Sequence, residues 1–205
     1  MSVITSPLLD RLGWLEHGFG TRDSTVSQEA MASLKQIHSN VAHVADRFTG
    51  CVGEGDVLLT DQAGLTVSVR TADCYPILLA DPEHGAVAAI HAGWRGTAAG
   101  IVGEAIGRMR NVYGSRAEAL YAAIGPGIGV CCYEVGEEVA RKFGMQQAGH
   151  LDLAAANRKQ LTAAGMPETQ ISTVAGCTYC DADRFFSYRR EGERAGRMIS
   201  FIRRV

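Results

Sequence analysis

Four short apolar runs follow one another between Asp56 and Ile90, each bounded by Gly, Asp or Pro. They are Asp56-Val-Leu-Leu-Thr60, Leu65-Thr-Val-Ser-Val69, Ile77-Leu-Leu-Ala80 and Gly85-Ala-Val-Ala-Ala-Ile90. Runs this short and this rich in Val, Ile and Leu read as buried strands. From Thr97 to Tyr113 the period changes. Ala98, Ile101, Val102, Ala105, Met109 and Val112 recur close to every 3.6 residues, and Gly114 stands where a C-cap belongs, which predicts an amphipathic helix. Leu120–Ile124 reads as a further strand, 135–143 and 153–164 as helices closing on Gly144 and Gly165, and 171–174 and 198–202 as late strands. The strands come in clusters rather than in strict alternation with helices. A mixed-sheet α+β layered architecture is therefore expected, not a doubly wound parallel sheet. A length of 205 residues suits one sizeable core, so residues 1–205 are expected to form a single domain.

Bulk properties narrow the function classes. Apolar residues make up 46% of the chain, charged residues 20%, and the formal net charge is −2. That balance is globular and offers no global field for nucleic acid or an acidic membrane, so neither is expected as a partner. The N-terminal stretch lacks the basic and apolar regions of a secretory signal, and no window approaches the roughly 18 apolar residues that cross a bilayer. The expected compartment is the cytoplasm. There the six cysteines, at 51, 74, 131, 132, 177 and 180, read as thiols, ligands or catalytic groups rather than disulfides.

Three segments place a good metal ligand beside structure-breaking residues at the end of an apolar run: Gln36-Ile-His38, Thr71-Ala-Asp-Cys74 and His91-Ala-Gly-Trp-Arg-Gly96. Cys74 follows the strand that contains Val67 and Val69, and His91 closes the strand that contains Val87 and Ile90. If those strands are neighbours, Cys74 and His91 emerge side by side, and His38 would complete a set of two His and one Cys. Such a set suits Zn²⁺, and three protein ligands leave a fourth position open, as catalytic zinc requires. A metal-free Cys74/His91 nucleophile–base dyad fits the same spacing.

With these motifs the chain resembles, nearly end to end, the laccase-domain or multicopper polyphenol oxidoreductase family. Its members are now regarded as purine nucleoside phosphorylases with adenosine deaminase activity, and a peptidoglycan-editing role has been proposed among them. The resemblance takes in His17-Gly-Phe-Gly-Thr-Arg22, Gln36-Ile-His38, Thr71-Ala-Asp-Cys74, His91-Ala-Gly-Trp-Arg-Gly96, Ile124-Gly-Pro-Gly-Ile128, Cys132-Tyr-Glu-Val-Gly136, His150-Leu-Asp-Leu153, Cys177-Thr178 and Phe185-Phe-Ser-Tyr-Arg-Arg190. It implies zinc on His38, Cys74 and His91; Cys74, His91 and Arg95 are expected as the catalytic set. It also implies a four-layer α/β/β/α fold related to toxin-deamidase-like cysteine hydrolases. One departure is Ser39, where the family usually has Gly after Gln-x-His.

The remaining motifs are less specific. Arg95, at a helix start beside His91, is a candidate for holding phosphate, with Arg22 and Arg189 as further candidates. Gly125-Pro-Gly127 suits either close approach to a ligand or a plain tight turn. Phe185-Phe-Ser-Tyr188 with Arg189 and Arg190 could stack a purine or edge a strand. Cys177-Thr-Tyr-Cys180 matches C-x-x-C, but no second copy completes a zinc ribbon, and the vicinal pair Cys131–Cys132 is a poor substitute. Cys180 is therefore expected to be incidental.

Purine nucleoside phosphorolysis of adenosine, inosine or methylthioadenosine, with adenosine deamination beside it, is the leading reading; its substrates are the nucleoside and phosphate. Zinc deaminases of the cytidine type carry H-x-E with P-C-x-x-C, and neither is present. Copper-dependent phenol oxidation would need many His ligands, yet the chain has six His and no H-x-H, so copper at the zinc site is expected only as an in vitro substitute. A Cys/His hydrolase remains a third reading. A non-catalytic metal module is the fourth, disfavoured because structural zinc is normally closed by four protein ligands.

Overall fold

The computed structural model describes residues 3–46 and 49–205. In chain order its strands are β1 (Val3–Ile4), β2 (Leu15–Gly20), β3 (Ala32–Lys35), β4 (Ala42–Val44), β5 (Gly50–Glu54), β6 (Val57–Thr60), β7 (Thr66–Thr71), β8 (Tyr75–Asp81), β9 (Ala86–Ala92), β10 (Tyr121–Ile124), β11 (Glu134–Val135), β12 (Gly149–His150), β13 (Ile171–Thr173) and β14 (Met198–Arg204). The α-helices are α1 (Pro7–Asp10), α2 (Trp94–Ala98), α3 (Ile101–Tyr113), α4 (Glu137–Lys142), α5 (Leu153–Ala163) and α6 (Tyr188–Glu191).

Two mixed six-stranded sheets face each other, in the orders β1-β2-β14-β7-β3-β5 and β13-β10-β8-β9-β6-β4, and β11 pairs with β12 alone. Phe19, Leu34, Leu58, Val67, Val69, Leu78, Val87 and Ile202 fill the space between the sheets. On the other face of the second sheet, Val57, Leu59, Ile77, Leu79 and Ile90 pack with Ile101, Met109 and Leu161. The second sheet is thus buried on both faces, which is why β6, β8 and β9 are continuous apolar runs with every residue buried. β14, in the first sheet, alternates between buried and part-exposed residues instead.

The expected helix over 97–113 is two helices. α2 starts earlier, at Trp94, and Gly100 at φ 77° breaks the run before α3, a left-handed turn that glycine makes without a Cβ clash. Gly114, at φ 78°, closes α3 as expected. The expected helix over 135–143 starts only at Glu137, because Glu134 and Val135 pair with β12. The mixed-sheet α+β expectation holds, with two mixed sheets packed face to face. α3, α4 and α5 all add apolar residues to the core on one side of the second sheet. The outer side of the first sheet carries Glu16, Arg70 and Arg203, exposed or half-exposed. On the same side Thr66 and Ser68 are buried, and Gln28 donates to Ser68 Oγ at 3.0 Å, so the segment between β2 and β3 covers part of that face.

Connections between the sheets position the site. The chain leaves the first sheet at Thr71 and enters the second at Tyr75, so Ala72-Asp-Cys74 turns the corner between them. β8 then runs antiparallel to β9 with Pro76 opposite His91. Cys74 and His91 therefore meet through β8. β7 and β9, the strands whose adjacency the sequence pattern invoked, lie in different sheets. Asp56 enters at the same edge, where β6 begins beside the end of β9.

Candidate metal centre

His38, Cys74 and His91 converge, with one ligand atom of each within 4.8 Å of the others. Local backbone geometry makes this possible. His38 (φ 59°) and Asp73 (φ 89°) are the only non-glycine residues with positive φ among the described residues, and each sits at or beside a ligand. Such conformations persist only where the surroundings over-determine them. The Asp73 carboxylate accepts from Thr178 Oγ1 at 2.6 Å and from the Arg189 amide at 2.7 Å, while the Asp73 carbonyl accepts from Ile128 N at 2.9 Å. The segment before His38 is tied to β7 by Gln36, whose side chain both donates to the Arg70 carbonyl and accepts from the Arg70 amide at 2.8 Å.

Asp56 organises the other side, and sequence reasoning passed over it as the first residue of a strand. Fully buried, its carboxylate accepts from His91 Nδ1 at 2.8 Å, His38 N at 3.1 Å, Ile37 N at 3.3 Å, Ser39 N at 2.6 Å and Ser39 Oγ at 2.8 Å. One carboxylate thus shapes the loop that carries His38 and fixes the ring of His91 with Nε2 left for a ligand role, the usual arrangement behind metal-bound histidines. Burial alone would raise its pKa, but the hydrogen bonds from His91 and Ser39 outweigh that and hold it down at about 2. The Ser39 hydroxyl, the departure at this loop, adds one of those bonds and also accepts from Val41 N at 3.1 Å. Burial likewise opposes ionisation of Cys74, yet His91 and His38 beside it bring the thiol well below its ordinary range. His91 moves the opposite way, raised by the Cys74 sulfur and by Asp56 against the effect of burial. Two imidazoles converge on the one sulfur, whereas a nucleophile–base dyad needs a single base. With a carboxylate behind His91, this donor set fits a borderline-soft divalent ion such as zinc.

Gly93 of the His-Ala-Gly-Trp segment has a steric role. A Cβ there would stand 2.9 Å from Cys74 Sγ and 3.2 Å from His38 Cδ2. Gly125 and Gly127 answer to packing rather than to a ligand: a Cβ would enter the Phe19 ring at 2.2 Å in the first and meet the Tyr75 ring at 2.7 Å in the second.

The three residues line a cavity of about 870 Å³, within the range of small-molecule sites. Arg70, Arg95, Arg189 and Arg197 also line it, and none of the four pairs with a carboxylate among the described residues. Arg95 stacks on Trp94 at 4.5 Å, Arg189 donates to the Glu134 carbonyl at 3.0 Å, and Arg197 donates to the Ala195 carbonyl at 2.6 Å. Asp73 is the acidic lining residue, and its oxygens are already engaged. Trp94, Tyr133 and Tyr188 supply aromatic surface. Sequence reasoning missed Arg70, which sits on β7 directly before the Thr71-Ala-Asp-Cys74 motif, and Arg197, which lies just before β14. The helix-start argument for Arg95 also weakens, since α2 has only 5 residues.

Several expected residues fall elsewhere. Arg22 does not line the cavity; its guanidinium binds Glu191 and the Phe185 carbonyl and lies 4.3 Å from the Phe186 ring centre. Phe185 is fully buried, and Arg190 is spent on the carbonyls of Thr178, Tyr179 and Phe185. From that motif only Tyr188 and Arg189 reach the cavity.

A family model described as multi-copper polyphenol oxidoreductase laccase matches residues 20–205. The chain belongs to this family. The purine nucleoside phosphorylase of Bacteroides thetaiotaomicron is 43% identical over 201 residues, covering 87% of this chain and 74% of that protein. Adenosine deaminase RL5, from an unknown prokaryotic organism, is 37% identical over 202 residues, covering 87% and 77%. The crystal structure of the Bacillus licheniformis hypothetical protein YfiH matches with a TM-score of 0.91 at 26% identity, covering 100% of this chain and 97% of that one. In this laccase-family chain four of the six histidines lie outside the cavity. His17 accepts from Ser6 N, His43 bonds the Glu54 carbonyl, His84 bonds Asp81 and His150 bonds the Val130 carbonyl. Of the six histidines only His38 and His91 line the cavity, too few there for a multi-copper cluster. No described helix is long and apolar enough to cross a membrane.

Proposed function

We propose that this protein is a zinc-dependent purine nucleoside phosphorylase that converts adenosine, inosine or methylthioadenosine with phosphate into free base and ribose 1-phosphate, with slow adenosine deamination beside it. One observation carries the reading: a two-His, one-Cys donor set opens into a cavity with four arginines that have no carboxylate partner, beside three aromatic rings. The names of the relatives supply the substrate class.

Phosphorolysis needs an anion held at the anomeric carbon while the purine departs. Arg95, stacked on Trp94 beside His91, is the first candidate to hold phosphate, with Arg70 and Arg197 adding positive field and Arg189 closing the opposite wall. Tyr133, Tyr188 and Trp94 offer faces for the base. His38, Cys74 and His91 would hold the metal, and zinc bound there supplies a Lewis acid. Cys74 and His91 then act as ligands, with Asp56 fixing the ring of His91. The free cysteines suit the reducing cytoplasm.

The test is product analysis by chromatography on zinc-loaded protein with and without phosphate. Phosphate-dependent release of free purine base is expected. Phenol oxidation needing oxygen and added copper, indifferent to phosphate, would reinstate the oxidase reading. Thiol-sensitive amide or ester cleavage without base release would instead favour the cysteine hydrolase and its relation to toxin deamidases.

A further inference from the structure

Four cysteines meet on the far side of the cavity wall. The sulfurs of Cys131, Cys132, Cys177 and Cys180 all lie within 4.8 Å of one another, with Cys180 Sγ 3.7 Å from Cys131 Sγ and 3.3 Å from Cys132 Sγ. This overturns the expectation that Cys180 is incidental and that the vicinal pair cannot complement C-x-x-C. The two pairs are more than forty residues apart in sequence; the parallel bridge between Gly127 and Cys177, with Thr178 N donating to the Gly127 carbonyl, brings their loops together.

The geometry points to a second, structural zinc site formed by Cys131, Cys132, Cys177 and Cys180. Zinc–thiolate bonds of about 2.3 Å arranged tetrahedrally put neighbouring sulfurs about 3.8 Å apart. Separations of 3.3 and 3.7 Å, with all four sulfurs within 4.8 Å, lie around that spacing for a single ion, whereas the cysteines of an iron–sulfur cluster must surround several irons. Four protein ligands close the coordination sphere, the mark of a structural site. The loop backbone is arranged for it. Gly129 N donates to Cys177 Sγ at 3.2 Å, and the amides of Tyr179 and Cys180 face the same sulfur across the C-x-x-C turn. A Cβ on Gly129 would stand 3.2 Å from Cys131 Sγ and 3.4 Å from Cys177 Sγ, so glycine leaves the cluster room. Four thiols this close cannot all ionise without a cation between them.

The site would staple two loops that shape the metal centre. One carries Ile128 and leads into Tyr133, both lining the cavity. The other carries Thr178, whose hydroxyl holds the Asp73 carboxylate beside Cys74. The inference is independent of the reaction proposed above, because it is read by metal content.

Elemental analysis of the full chain, purified under reducing conditions, is expected to give about two zinc ions per chain, one for each site. Cys74→Ala and Cys180→Ser are each expected to retain about one. Cys180 is exposed, so its replacement by Ser is not expected to disturb packing, and circular dichroism checks this. A second measurement leaves the cluster intact: Cys74→Ala protein loaded with cobalt should show the intense sulfur-to-cobalt absorption of a four-thiolate site, which Cys180→Ser in the same background weakens or abolishes. A single ion lost entirely in Cys74→Ala would overturn the assignment. So would unchanged metal content in Cys180→Ser, or a Cys132–Cys180 disulfide found by mass spectrometry of protein never exposed to oxidant.

Discussion

Replacing Asp56 by Asn keeps the shape of the side chain and removes one acceptor oxygen with the charge. Oδ1 accepts from His91 Nδ1 and His38 N, while Oδ2 accepts from Ile37 N, Ser39 N and Ser39 Oγ. An Asn oxygen can serve one of these sets, and its NH₂ must then face the N–H donors of the other. The Ser39 hydroxyl can turn to accept, and with the oxygen facing the Ser39 side the His91 ring can accept at Nδ1 by moving its proton to Nε2, so one N–H group, that of His38, is left stranded. A buried donor without a partner costs about 1–3 kcal/mol, so Asp56→Asn is expected to destabilise the metal-free fold by about that amount. Loss of the partner behind a metal-bound histidine costs about 10–100-fold in metal affinity, equivalent to about 1.4–2.7 kcal/mol. Urea unfolding of stripped protein measures the first effect, and competition with a chromophoric chelator measures the second. Wild-type midpoint together with zinc affinity within about two-fold of wild type would refute the role given to Asp56.

Cys74→Ala and His91→Ala are each expected to abolish zinc at the cavity site, read by elemental analysis; full retention in both would sink the ligand assignment. Gly93→Ala presses a methyl group onto Cys74 Sγ and His38, so it should weaken zinc binding and cost about 1–3 kcal/mol of stability. Unchanged affinity would mean the loop yields freely. Arg95→Ala is expected to raise the Michaelis constant for phosphate about ten-fold or more with a smaller effect on that for inosine, as loss of a charge-assisted contact predicts. Arg22→Ala should leave that ratio alone and lower thermal stability instead, because Arg22 meets Glu191 and Phe186 outside the cavity; the reverse pattern would exchange their roles. Ser39→Gly removes two hydrogen bonds and should lower stability by about 1 kcal/mol while keeping the metal.

The sequence by itself determined those elements whose environment writes a pattern. β6, β8 and β9 are legible because both faces of their sheet are buried, so each is an unbroken apolar run. α3 is legible because one face is buried and Gly114 caps it. β2 is not, since Leu15-Glu-His-Gly-Phe-Gly20 carries glycines where Phe201 and the Ile199 backbone press against it. The break at Gly100 was hidden because the apolar period continues across it. The three metal ligands were legible from their motifs, but the reason they meet was not: a sheet-to-sheet corner at Cys74, the register of β8 on β9, and the single buried carboxylate of Asp56. The place of Arg70 and Arg197 in the cavity and the meeting of Cys131–Cys132 with the C-x-x-C pair were not legible, although the cysteine pairs themselves were visible. Their partners are brought near by sheet order and one parallel bridge, contacts between distant segments that leave no local trace in spacing or period.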